Sequence, residues 1–145
     1  VELANKNAEE EAQRVTGKEE RISAAVTQLG KMLSIAPPKR MESFDISNIA
    51  GTDIVAGMVV FEDGKPKKRD YRHFKLRGLA DQDDYASMAE VIERRILRYF
   101  EEKDTGEGFG RLPDLILLDG GSGQVNAVKP VLDKYKLDIP LFVPL

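Results

Sequence analysis

The sequence predicts an α/β fold: a mixed five-stranded sheet in strand order 3-2-1-4-5, flanked by helices and preceded by a helical extension. Three observations carry that prediction. A hairpin signal, Glu62-Asp63-Gly64-Lys65, joins two strand-like runs, since Asp-Gly supplies the positive φ angles of a tight turn. An almost continuous apolar run, Asp114–Leu118, has the character of a central strand covered on both faces. Between them lies Asp83–Glu102, where Tyr85, Met88, Ile92, Ile96 and Tyr99 recur at steps of three and four, the spacing of one helix face.

Taken in order, residues 1–36 are rich in Ala, Glu, Lys and Gln. Thr16-Gly-Lys-Glu19 has capping-box spacing, and Ile22, Val26, Leu29 and Leu33 follow at helical intervals. Two helical segments are expected, the first polar and loosely held, forming a lead-in that Pro37-Pro38 ends. Residues 37–145 then form the main domain. Arg40–Ser47 reads as a first strand, Ile54–Glu62 as a second and Lys67–Leu76 as a basic, aromatic third, antiparallel to the second. After the Asp83–Glu102 helix comes strand four. It stops at Asp119-Gly-Gly-Ser-Gly-Gln124, which opens a helix reaching about Tyr135, and Ile139–Val143 is the last strand. Hairpin-linked strands followed by right-handed crossovers give the order 3-2-1-4-5, with strand four parallel to strand one.

Composition narrows the chemistry. The 145 residues are 41% hydrophobic and 32% charged with a net charge of −3, values of one ordinary globular domain. With no cysteine and only His73, a disulfide scaffold, a zinc ribbon, a thiol nucleophile and a histidine cluster are excluded. No run approaches the ~20 apolar residues of a membrane span, so a cytoplasmic setting without membrane contact is expected. The start at Val1 and the stop within Ile-Pro-Leu-Phe-Val-Pro-Leu145 suggest a piece of a longer protein, its domain truncated at the C-terminal end.

The predicted order makes neighbours of Asp45, on strand one, and Asp119, at the carboxyl end of strand four, although they are 74 positions apart. Two carboxylates held together need a shared proton or a cation, and Mg²⁺ or Mn²⁺ suits such oxygens and takes phosphate oxygens as further ligands. The plainer alternative is that Asp45 caps a loop and Asp119 starts a turn. Asp84, at the start of the long helix, is a third candidate or a helix cap. Gly120–Gln124 follows a strand and opens a helix, so Gly121, Ser122, Gly123 and Gln124 can offer N–H groups to a phosphate, or can serve turn geometry alone. A nucleotide cofactor is not expected, because no Lys-Ser/Thr follows the glycines.

Seven positive charges fall between Lys65 and Arg77, offset only by Asp70. Lys67, Lys68, Arg69, Arg72 and Lys75 are candidates for contacting nucleic-acid phosphates; the competing reading is an edge strand solvated by its charges. His73 lies within this stretch as a surface or DNA-facing residue and is not taken as a catalytic base.

Met41-Glu-Ser-Phe-Asp45-Ile-Ser-Asn48, Val59-Val-Phe61 with Gly64, Asp83-Asp-Tyr-Ala-Ser-Met88 and Pro113-Asp-Leu-Ile-Leu-Leu-Asp119-Gly-Gly-Ser-Gly-Gln124 closely resemble the UvrC endonuclease domain family. The resemblance runs from about Pro37 to the end of the chain. It implies an RNase H-like fold and incision of damaged double-stranded DNA 5′ of a lesion in nucleotide excision repair. It further implies a Mg²⁺ or Mn²⁺ site at Asp45 and Asp119, a role for Asp84 in incision, and partnership with UvrB on the UvrA-loaded complex. The family's active-site histidine matches nothing in this chain, so weak or absent cutting by this chain alone is expected. A non-catalytic nucleic-acid- or protein-binding module is the alternative.

Overall fold

A computed structural model describes residues 2–49, 53–76, 83–121 and 123–143. The chain opens with α1 (Glu2–Leu33), followed by β1 (Arg40–Ile49), β2 (Asp53–Glu62), β3 (Lys65–Pro66) and β4 (Arg72–Leu76). Then come α2 (Asp84–Glu102), β5 (Leu115–Leu118), α3 (Gly123–Lys134) and β6 (Leu141–Phe142). The sheet runs β3-β2-β1-β5-β6, with β4 also paired to β2. β1 and β2 are antiparallel, whereas β1, β5 and β6 are parallel. This is the expected mixed sheet, with two differences.

The expected third strand is two. Pro66 has no N–H to extend the ladder, and the chain turns through a short 3₁₀ segment, Lys68–Asp70. Asp70 is drawn inward by Arg40, whose Nη1 lies 2.7 Å from its carboxylate, before pairing resumes at Arg72. The second difference is in the lead-in, where α1 is continuous across Gly17 rather than two segments. Its Ile22 and Val26 lie against Gly64, where an added Cβ would fall 2.2 Å from Ile22 Cγ2. Gly64 (φ 78°) and Asp63 (φ 53°) supply the positive angles of the β2–β3 turn.

One face of the sheet is dry. Phe44 on β1, Ala56, Met58 and Val60 on β2, Phe74 and Leu76 on β4, and Ile116 and Leu118 on β5 pack with Met88, Val91, Ile92 and Ile96 of α2 and Val128 and Leu132 of α3. The two helices are tied together where Glu93 accepts from Lys134 Nζ at 2.8 Å and Tyr135 Oη at 2.7 Å. The alternate positions, including Ser43, Asp45, Val55, Gly57, Val59 and Phe61, are half-exposed on the other face.

Buried charge closes the end of the sheet where β1 begins. Glu42 is wholly buried and accepts from Arg95 Nε at 2.7 Å, Arg95 Nη2 at 2.8 Å and Arg40 Nε at 3.0 Å. Arg95 also donates to the carbonyls of Phe109 and Arg111, and Arg40 to that of Gly108, fixing the loop before β5. Asp114 completes the closure by accepting from the Lys39 and Arg40 N–H groups at 3.0 and 2.9 Å, while its own N–H donates to the Arg40 carbonyl.

Candidate active site

The reciprocal Asp114–Arg40 contacts set the β1/β5 register at one end, and Phe44 stands opposite Leu118 at the other. One step further, the Asp119 N–H donates to the Phe44 carbonyl at 2.9 Å. Asp119 therefore leaves β5 beside Asp45. Asp45 is half-buried and Asp119 exposed, so the strand register brings the backbones of these two distant residues alongside each other at one solvent-accessible edge. Opposite Asp45 on β2 stands Gly57. A Cβ there would fall 2.6 Å from Asp45 Oδ1, so this carboxylate leans across β2 over a position kept clear for it. Gly57 was not singled out from sequence, although a lone glycine within an apolar strand is a signal of close approach.

Asp84 begins α2, just after Asp83, whose side chain caps the helix by accepting from the Ala86 N–H at 2.7 Å. The cap is thus Asp83, which frees Asp84 from that role. Asp84 is exposed and lies one turn before buried Ser87 and Met88, on the stripe of α2 that faces the sheet. Its neighbour Tyr85 lies over the glycine loop: a Cβ on Gly123 would sit 2.8 Å from the ring, and one on Gly121 3.8 Å from the hydroxyl. The start of α2 thus meets the loop that follows Asp119.

The loop is more self-contained than its glycines suggest. Gly121 is exposed, and Ser122 lies outside the described residues. The Gln124 N–H donates to the Gly121 carbonyl at 3.0 Å and is not free for a phosphate. The Gln124 side chain is 3% exposed and packs on Gly120, where a Cβ would come within 2.3 Å of its amide. Its placement is that of a support beneath the loop, and among the described residues its Oε1 is buried without a hydrogen-bond partner.

Strand alternation divides the basic stretch. Lys67 is held 2.8 Å from Glu62 and 3.5 Å from Asp70, engaged in the fold instead of free for phosphate. Arg72 lies on the α2 side, 5.3 Å over the Phe109 ring, with Nη1 on the carbonyls of Arg69 and Tyr71. Lys68, Arg69, His73 and Lys75 are exposed. Lys67 takes Glu62 below the usual carboxylate range by its hydrogen bond, and Arg111 adds to this, against a smaller effect of burial. Burial pushes Asp70 up, but Arg40 and Lys67 together outweigh it and leave that carboxyl lowered.

Among the described residues, no three carboxylate or imidazole side chains converge in a group able to hold a metal ion. Asp45 and Asp119 stand at neighbouring backbone positions and carry hard carboxylate oxygens, the donor type that fits Mg²⁺ or Mn²⁺ with water or phosphate completing the shell. No helix among the described residues is long and apolar enough to cross a membrane.

The fold is shared with solved endonuclease V structures. A structure of human ENDOV aligns with 66% of this chain and 42% of its own at a TM-score of 0.50 and 13% identity. A Ciona intestinalis Endonuclease V, solved with a 24mer DNA containing an inosine, aligns with 92% of this chain and 58% of its own, at a TM-score of 0.50 and 15% identity. The model of the UvrC RNAse H endonuclease domain matches residues 30–143. The UvrABC system protein C of Lachnospira eligens is 45% identical over 97% of this chain. That of Caldanaerobacter subterraneus subsp. tengcongensis is 44% identical over 98%. The chain belongs to the UvrC RNase H endonuclease domain family. It spans about a quarter of the length of these curated relatives, 24% and 25%.

Proposed function

We propose that this chain is the metal-dependent DNA endonuclease core of a nucleotide-excision-repair protein, hydrolysing a phosphodiester 5′ of a lesion in damaged double-stranded DNA. The single observation that supports it is the juxtaposition of Asp45 and Asp119 across β1 and β5 at an accessible edge. In this reading Asp45 and Asp119 hold Mg²⁺ or Mn²⁺, and Asp84 faces the same edge from α2. When bound there, the ion supplies charge neutralisation of the phosphodiester and acidification of a water. The chain's own residues present the strand: Gly121 and Gly123 keep the loop low beside Asp119, and Lys68, Arg69 and Lys75 attract phosphate. Lys67, Arg72 and Gln124 act from within the fold, shaping that surface rather than touching DNA. Residues 1–36 form a lead-in to the domain, and UvrB is the expected partner of the whole protein, in the cytoplasm.

The test is a calorimetric Mn²⁺ titration of this chain and of Asp119→Asn. Saturable binding that the variant loses supports the reading. Binding unchanged in the variant, or absent from both proteins, rejects the carboxylate pair as a metal site and leaves a non-catalytic binding module.

A further inference from the structure

β4 is an outer strand: among the described residues it pairs with β2 alone. Which of its backbone groups stay open follows from the registers. The Lys67 N–H donates to the Val60 carbonyl at 2.8 Å, so Val60 turns its backbone groups toward the β3 and β4 side. Met58, Ala56 and Ile54 follow at steps of two along the unbroken β1–β2 register and turn the same way. Their partners Arg72, Phe74 and Leu76 are therefore the hydrogen-bonded positions of β4. His73 and Lys75 turn their N–H and C=O groups outward. Accordingly, the Lys75 carbonyl is reached from outside the sheet by Arg94 Nη1 at 2.8 Å. The two groups of His73 and the Lys75 N–H form an open length of strand edge.

Beside this edge, on the α2 side of the sheet, lies a cleft of about 300 Å³ lined by Arg72, Phe74, Arg94, Leu97, Arg98 and Phe109, with His73 also on its wall. Arg72 stands 5.3 Å over the Phe109 ring and Arg94 5.5 Å over that of Phe74. Both guanidiniums are pinned by neutral carbonyl oxygens, Arg72 by those of Arg69 and Tyr71 at 2.8 Å and Arg94 by that of Lys75. Such bonds orient a guanidinium without cancelling its charge and leave its other N–H groups to donate. Arg98 differs, since it is paired with Glu102 at 2.8 Å. Leu97 adds an exposed apolar side chain. The cleft thus matches a carboxylate on a short apolar stem.

We propose that the β4 edge takes up an extended acidic segment of a partner protein as an added strand. Its main chain pairs with His73 and Lys75, and one of its carboxylates enters the cleft between Arg72 and Arg94. The backbone groups decide for a peptide over a nucleic-acid strand. His73 offers a donor and an acceptor at strand spacing, which a peptide backbone complements, whereas a phosphate brings acceptors only and would face the His73 carbonyl. β2 separates β4 from β1, so this surface lies apart from the Asp45–Asp119 edge.

The experiment is fluorescence anisotropy of this chain with a labelled, end-capped short peptide of alternating Glu and Val. Arg72→Ala and Arg94→Ala are each expected to weaken binding about tenfold, the scale of one charge-assisted hydrogen bond. Lys129→Ala, on the exposed side of α3, is expected to leave it unchanged. His73→Pro removes the edge donor without breaking a bond to β2 and should weaken binding as well. Two further peptides, methylated on alternate backbone nitrogens in the two possible phases, keep every charge. One should lose binding about tenfold and the other should keep it, because only one set of N–H groups faces β4. Equal affinity of the two methylated peptides, or wild-type affinity in both arginine variants, would overturn the proposal. Single-stranded DNA binding that depends on Arg72 and Arg94, with no binding of the acidic peptide, would overturn it in favour of a nucleic-acid cleft.

Discussion

The Asp119 N–H donates to the Phe44 carbonyl at 2.9 Å, one ladder step beyond the last strand pair of β1 and β5. That bond extends the parallel register just far enough to carry Asp119 alongside Asp45. The strand ends there because Gly120 and Gly121 follow, and Gly120 lies against the Gln124 amide, which a Cβ there would have to displace. Backbone pairing, not side-chain attraction, therefore brings two like charges together.

This makes the pair a source of instability without a cation. Two like charges on neighbouring strand positions at a partly exposed edge repel by on the order of 1 kcal/mol, less in salt. Asp119→Asn removes one charge, so in EDTA it should melt at a higher temperature than the unmodified chain. Saturating Mn²⁺ should raise the melting temperature of the unmodified chain and leave the variant unmoved. A variant that melts lower in EDTA, or gains equally from Mn²⁺, would contradict the repulsion argument.

Tyr85 and Gly123 are coupled in the same region. A methyl group at Gly123 would lie 2.8 Å from Tyr85 Cζ and Oη, closer than unbonded atoms approach, whereas Ala is otherwise the better helix former by up to about 1 kcal/mol. Gly123→Ala should therefore destabilise the unmodified chain by roughly 1 kcal/mol, an overpacking cost partly offset by propensity. In a Tyr85→Ala background the same change should stabilise. A double-mutant cycle by urea denaturation reads the coupling, and strict additivity would refute it.

The sheet order was legible because its signals are local and mutually consistent: Asp63-Gly64 for the hairpin, alternation through Phe44 and Ile46, and the apolar run before Asp119. The pairing of Asp45 with Asp119 follows from that order. The division of the third strand was not legible, since Arg40 captures Asp70 across 30 positions of chain. Nor was the burial of Gln124, whose amide has meaning only against the backbone of Gly120. Seven basic residues in one stretch read as a single patch, but alternation sends Arg72 to the helix side and His73 and Lys75 to the other. The open backbone edge at His73 needed two strand registers, which no local pattern supplies.

Glu42 offers a sharper test of the buried end. It is wholly buried between Arg40 and Arg95, 53 positions from the latter. Glu42→Gln keeps the shape but leaves Arg95 without its counter-charge and Arg40 with Asp70 alone, and should cost about 3–5 kcal/mol in denaturant unfolding. Replacing Glu42 and Arg95 together with apolar residues removes the orphaned charge along with its partner, while Arg40 keeps Asp70. Glu42→Leu combined with Arg95→Met should therefore cost less than the two single changes added together. A sum that is simply additive would mean the network contributes only packing.

The same end of the molecule should govern acid stability. Asp70 is driven up by burial but held below its ordinary value overall by Arg40 and Lys67, and Glu62 is lowered by Lys67 and Arg111. In the unfolded chain both carboxyls regain ordinary affinity for protons, so on acidification the unfolded state binds protons first. Their stabilisation is therefore fully present above the unfolded carboxylate range, near pH 4–5, and is lost as pH falls through it toward the lowered folded values. Melting temperature measured from pH 7 to pH 3 should fall in that window. Asp70→Asn should start lower at pH 7, because Arg40 loses a partner, but decline less steeply, so that the two curves converge at the acid end. Parallel curves would show that Asp70 carries none of the acid sensitivity.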